Sequence, residues 1–139
     1  MTTKQYLQQA RKLDQRIDAK IKQIDGLKDL ALKITTTLSK GKTNGGPVVD
    51  SKTANAIDRI IDLENEINAD INALVTIKRV IRDAVSKIDD DRYKLVLELY
   101  YLNKMSWEEV AVFMGITWRH TLRLHGEALL KFKKVIECH

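Results

Sequence analysis

The residues best suited to specific chemistry in this chain lie between positions 106 and 134. Ser106-Trp-Glu-Glu109 reads as a capping box, in which Ser106 accepts from the amide three residues on and Glu109 reaches back. It opens a short helix from Trp107 to Met114, and Gly115 is placed to end that helix in the left-handed conformation. Thr117 then caps another helix, expected to run to about Lys134. Short helix, glycine turn and new helix is the helix-turn-helix layout. In such a unit the second helix enters the major groove and meets base edges with its first residues. Here those residues are Trp118, Arg119, His120 and Thr121, with Arg123 a turn later on the face of Arg119. Arginine can donate to both major-groove acceptors of guanine. Ser106 and Thr117 stand at helix N-termini, where amides and hydroxyls meet phosphates. Lys131, Lys133 and Lys134 lie beyond the groove-sized part and are expected to meet phosphate. Trp118 fits either the groove or the core, and His120 and His125 fit polar surface or packing better than metal ligation.

Other candidate chemistry is weaker. Asp58, Asp62, Glu66 and Asp70 recur every four residues and could hold a divalent cation, but such a stripe also suits the wet face of a coiled coil opposite lysines. Asp89-Asp90-Asp91 point in different directions from a helix start and suit capping. Cys138-His139 lacks a second pair to complete a zinc site. With no phosphate loop or nucleophile elbow either, no enzymatic activity, metal or cofactor is expected.

The elements that must position this C-terminal pattern are helical. The chain has 139 residues with only 6 glycines and 1 proline, too few for a many-turned sandwich or barrel. Of the eight aromatic residues all but Tyr6 lie between Tyr93 and Phe132, which marks a globular end on a narrower element. No stretch reaches the roughly 20 apolar residues of a membrane span, and the N-terminal residues have no apolar signal region. A single cysteine fits a reducing cytoplasm. The formal charge is +5, yet residues 117–134 alone carry five cationic residues against Glu127. Such a basic run suits an anionic partner.

Residues 4–38 predict one long helix with a seven-residue repeat that includes Leu13, Ile17, Ile24, Ile34 and Leu38, interrupted by Lys20. Ser39 to Pro47 holds three glycines and the proline, which predicts a break and a loop over 39–51. Residues 54–88 repeat the pattern, with Ile60, Ile67, Leu74, Ile81 and Ile88 seven apart and Ile57, Glu64, Ile71, Lys78 and Val85 as the companion row. Further aliphatics beside these rows predict more than one partner surface. The pattern is satisfied by an antiparallel hairpin, with Lys20 near Asp70 to fix its register, or by pairing between chains. The expected fold is all-α: a two-helix antiparallel coiled-coil hairpin over 1–88 and a helix-turn-helix domain over 89–139. Leu13, Ile17, Ile24, Ile60, Ile67, Leu74 and Ile81 form its hairpin or oligomer seam.

Four strings carry a resemblance over nearly the full length. They are Tyr6-Leu-Gln-Gln-Ala-Arg-Lys-Leu13, Ile60-Ile-Asp-Leu-Glu-Asn-Glu-Ile-Asn-Ala-Asp-Ile71, Leu97-Glu-Leu-Tyr-Tyr-Leu-Asn-Lys-Met-Ser-Trp-Glu-Glu-Val-Ala111 and Leu122-Arg-Leu-His-Gly-Glu-Ala-Leu129. The chain resembles the late-gene transcription regulators of the RinA/ArpU type from phages and prophages of Gram-positive bacteria. Residues 93–130 look like a sigma-factor region-4 helix-turn-helix. Thr121 departs from it, in a slot where relatives usually have an aliphatic residue. The resemblance implies an activator of phage genes that binds double-stranded DNA with its C-terminal unit in the cytoplasm of the bacterial host. Homo-oligomerisation through the long helices and contact with RNA polymerase are the further partnerships expected. The rival expectation is an interaction module, in which the long helices work on RNA polymerase or another phage or host protein and the helix-turn-helix is structural.

Overall fold

A computed structural model describes residues 1–40 and 51–138, and all regular structure among them is helical. The expected 39–51 loop falls almost wholly outside the described residues, as do the side chains of Ile34 and Leu38. Two long helices, α1 (Thr3–Lys40) and α2 (Ser51–Ser86), precede α3 (Asp91–Leu97), α4 (Trp107–Met114) and α5 (Trp118–Glu137). The chain divides into two compact units, one of residues 15–72 and one of residues 1–14 with 73–139. This division differs from a boundary at 88/89, because the first turns of α1 and the last of α2 pack with the C-terminal helices.

In the unit of residues 15–72, Ile17, Ile24, Leu63 and Ile67 are buried within a single chain. Ile60 is half-buried. Lys20 Nζ meets Asp70 Oδ2 at 2.7 Å, the pair expected from the interruption of the repeat. In this unit the companion row on α2 is not the expected one, although Val85 of that row is buried further along the helix. Ala56 and Leu63 are buried, whereas Ile57, Glu64 and Ile71 are exposed. The helix is turned so that the row containing Asp70 faces α1, which lets its carboxylate reach Lys20.

The other unit holds the C-terminal helices. Leu7, Ala10, Leu74, Ile81, Val85, Val96, Leu97, Tyr101, Val110, Leu124, Ala128 and Phe132 form its core, and Leu13 is half-buried. The α3 and α4 helices both pack on α5. Asp90 caps α3 by accepting from the Arg92 amide at 2.8 Å, the capping role expected of the aspartate run. Past Leu97 the backbone widens into a π-helical turn over Glu98–Leu102, closed by the Asn103 amide donating to Glu98 O. The extra residue per turn shifts the inward positions. Tyr101 becomes fully buried, while Tyr100 and Leu102 are half-buried.

A π-turn leaves its last carbonyls without helical partners. Side chains from α1 and α2 satisfy those of Tyr100 and Leu102. Arg11 donates to Tyr100 O at 2.6 Å and to Met105 O at 2.9 Å, and Lys78 donates to Leu102 O at 3.1 Å. Lys78 is itself paired with Asp14 at 3.3 Å. The Arg11 guanidinium lies 3.9 Å from the Tyr100 ring centre, and the Trp107 ring stacks on Tyr100 at 3.7 Å. Arg11 and Trp107 cannot occupy the same face at those distances, so Tyr100 is held between them.

Candidate functional site

The α4 and α5 helices are joined as their local residues dictate. Ser106 Oγ accepts from the Glu109 amide at 3.2 Å, and Glu109 Oε1 accepts from the Ser106 amide at 3.3 Å, so both halves of the capping box form. Gly115 ends α4 at φ 69° and ψ 33°. A side chain there would be strained, since the left-handed region costs an L-residue about 1–2 kcal/mol. Two residues on, Thr117 Oγ1 accepts from the His120 amide at 3.0 Å and starts α5.

The buried side of α5 consists of Thr121, Leu124, His125, Ala128 and Phe132. At about 100° per residue, Arg119, Arg123, Gly126, Leu130 and Lys134 then fall on the opposite face, and all are exposed. Thr117, Arg119, His120 and Arg123 together line one open depression at the start of the helix. Trp118 is 52% exposed, which resolves its two roles in favour of the surface. Gly126 leaves bare backbone on the same face, and a Cβ there would meet nothing.

Thr121 is a correction. It is fully buried, and its hydroxyl donates to Thr117 O at 2.8 Å, so it presents no group to a ligand. Its position in the α5 repeat, three residues before Leu124 and seven before Ala128, places it inward. The three lysines do not extend one surface evenly. Lys131 and Lys134 border a separate cleft with Lys87, Asp89, Asp90 and Tyr93, while Lys133 approaches Glu137 at 4.0 Å. Ser106 is half-buried and committed to the capping box.

Behind the exposed face lies a buried polar contact between Tyr101 and His125 Nε2 at 2.7 Å. Burial holds the imidazole neutral and pushes its pKa down to about 4, with Lys4 acting in the same direction. Burial, with a smaller contribution from Tyr100, raises that of Tyr101. The Trp107 ring centre lies 4.5 Å from that of His125, completing an aromatic floor of Tyr100, Tyr101, Trp107 and His125. Arg11 and Lys78, which brace this floor, were not among the residues expected to matter. Lys78 carried a signal as a cation in an apolar row; Arg11 carried none.

A different surface lies on α4. Val112 is 82% exposed and Phe113 60%, and both lie beside Met105, Glu108 and Glu109. Among the described residues, no three His, Cys, Asp or Glu side chains come together to hold a metal ion. The acidic residues of α2 are instead spread along the helix, with Asp70 on Lys20 and Glu66 4.0 Å from Arg59. No helix among the described residues is long and apolar enough to cross a membrane. Neither a protein-family model, nor a curated protein, nor a solved structure matches this chain.

Proposed function

We propose that residues 106–134 form a helix-turn-helix that binds double-stranded DNA through α5, and that the chain is a transcription regulator of the phage late-gene type implied by its resemblance. One observation carries this reading. Arg119 and Arg123 project from one exposed face, grouped with Thr117 and His120 at the start of a helix that follows a short capped helix and a left-handed glycine. A helix start presents free amides and the positive end of its dipole to phosphate, while two arginines one turn apart can reach base edges in a major groove. Trp118 adds an apolar contact for a thymine methyl or the sugar. Arg11 and Lys78 hold the site from behind. The long helices form an antiparallel hairpin in this reading. Support comes from the C-terminal unit, where Asp14 meets Lys78 while Tyr6 lies with Val80 and Ala84, as helices of opposite sense require.

The test compares the variants Arg119→Ala and Lys133→Ala after site selection on random duplexes with the purified protein. Arg119→Ala should weaken the selected site by about 1–3 kcal/mol and relax preference at one base pair, while Lys133→Ala weakens all sequences alike. Binding should fall steeply with salt between about 50 and 200 mM. Equal, sequence-independent losses from both variants would refute base reading by Arg119.

A second reading rests on α4. Glu108 and Glu109 would repel phosphate, and Val112 and Phe113 offer a protein partner an apolar foothold. This surface suits contact with RNA polymerase or another phage or host protein. If site selection enriches no sequence and Val112→Ser abolishes partner binding, the interaction-module reading takes precedence.

A further inference from the structure

Among the described residues of 15–72, a second apolar row is exposed. Ile21 and Leu32 on α1 are 43% and 66% exposed, and Ile57 and Ile71 on α2 are 45% and 41% exposed. None belongs to the buried seam. Their common face follows from the ion pair. Lys20 and Asp70 join across one flank of the seam, and each next residue turns about 100° around its helix. In an antiparallel pair that step carries Ile21 and Ile71 to the same, opposite flank. Leu32 lies about three turns beyond Ile21, and Ile57 about four turns before Ile71, so these fall on that flank too.

The row is also palindromic. On α1 it reads Ile21, Asp25, Lys28, Leu32. A two-fold axis between residues 26 and 27 sets Ile21 against Leu32 of a second copy, and Asp25 against that copy's Lys28. On α2 the midpoint of Ile57 and Ile71 is Glu64. Because Lys20 is level with Asp70, residues 26–27 of α1 are level with 63–64 of α2, so one axis serves both helices. Apolar order on both helices, and charge on α1, are thus complementary to themselves, as a two-fold interface requires.

We propose that this face binds a second copy of the chain, antiparallel, to make a four-helix bundle of residues 15–72. The proposal rests on the hairpin reading of these residues and not on DNA binding. Ile57 to Ile71 spans about 21 Å, and two helices side by side are about 20 Å wide. With flanking turns that gives roughly 500–600 Å² per chain, near the lower end for specific association. A reversible dimer is therefore expected. Glu64 is its weak point, because two copies of this carboxylate meet at the axis.

Sedimentation equilibrium of the full chain, at about 1–200 µM without DNA, tests this through linkage of mass to concentration. Wild type should show a monomer–dimer equilibrium. Ile71→Glu should raise the dimer Kd at least about tenfold, and Glu64→Leu should lower it about tenfold, which corresponds to about 1.4 kcal/mol. Circular dichroism checks that both variants keep the wild-type helix content, and the Glu64→Leu arm decides alone if Ile71→Glu unfolds. Monomer mass throughout, a dimer indifferent to Ile71→Glu, or no tightening by Glu64→Leu overturns the proposal. A monomer that still selects one DNA sequence would overturn the dimer and leave the DNA reading standing.

Discussion

Acid should loosen this protein through one histidine. His125 is only 6% exposed, bonded to Tyr101 at 2.7 Å, and its pKa is pushed from 6.5 to about 4 by burial. In the unfolded chain the imidazole titrates near 6.5 again. Between those values the unfolded state binds more protons than the folded one, so stability falls as pH falls. The contribution is complete above about pH 6.5, shrinks through the window and is gone once the pH is below about 4. At about 1.36 kcal/mol per unit, the loss is roughly 2 kcal/mol at pH 5 and about 3 kcal/mol at pH 4. Urea unfolding followed by circular dichroism at pH 7.5, 6 and 5 measures it against His125→Gln, which cannot titrate. The variant starts less stable, and the gap to wild type should narrow by about 2 kcal/mol on going to pH 5. A gap that stays constant between pH 7.5 and 5, or a His125 NMR resonance that titrates near 6.5, would refute the argument.

Two further expectations concern the turns around the site. Arg11→Ala removes two charge-assisted hydrogen bonds to carbonyls and the cation over Tyr100, and should cost about 2–4 kcal/mol in denaturant unfolding. Gly115→Ala and Gly126→Ala should move stability in opposite directions. The first forces a side chain into the left-handed region, at about 1–2 kcal/mol. The second places one in open space on a helix and should gain about 0.5–1 kcal/mol. Thermal unfolding of the two variants reads the sign directly.

What could be read from the residues alone was local. Ser106, Glu109, Gly115 and Thr117 each act on backbone within three residues, so their types and spacing suffice to place α4, the turn and the start of α5. The Lys20–Asp70 pair was legible because a charge in an apolar repeat demands an opposite one. Failures begin where a partner is distant in sequence. The π-turn at Glu98–Leu102 is sustained by Arg11 and Lys78, so nothing in residues 91–102 announces it, nor that Tyr101 rather than Tyr100 is fully buried. Two rows on α2 compete for the seam at equal spacing. Only the orientation of Asp70 toward Lys20 decides between them, which left Ile57 and Ile71 outside. Thr121 was misjudged because a threonine that donates to the carbonyl one turn back can be buried as readily as an aliphatic residue.

The clasp of Arg11 on the π-turn also sets an order of events during synthesis. Its two carbonyl partners lie 89 and 94 residues further along the chain. Arg11 therefore leaves the ribosome long before the carbonyls it will hold. Pairing of α1 with α2 through Asp14 and Lys78 shortens the loop that remains to be closed. The C-terminal unit is completed last, by the return of the chain's beginning, and a nascent chain stalled before residue 105 holds α1 without its clasp.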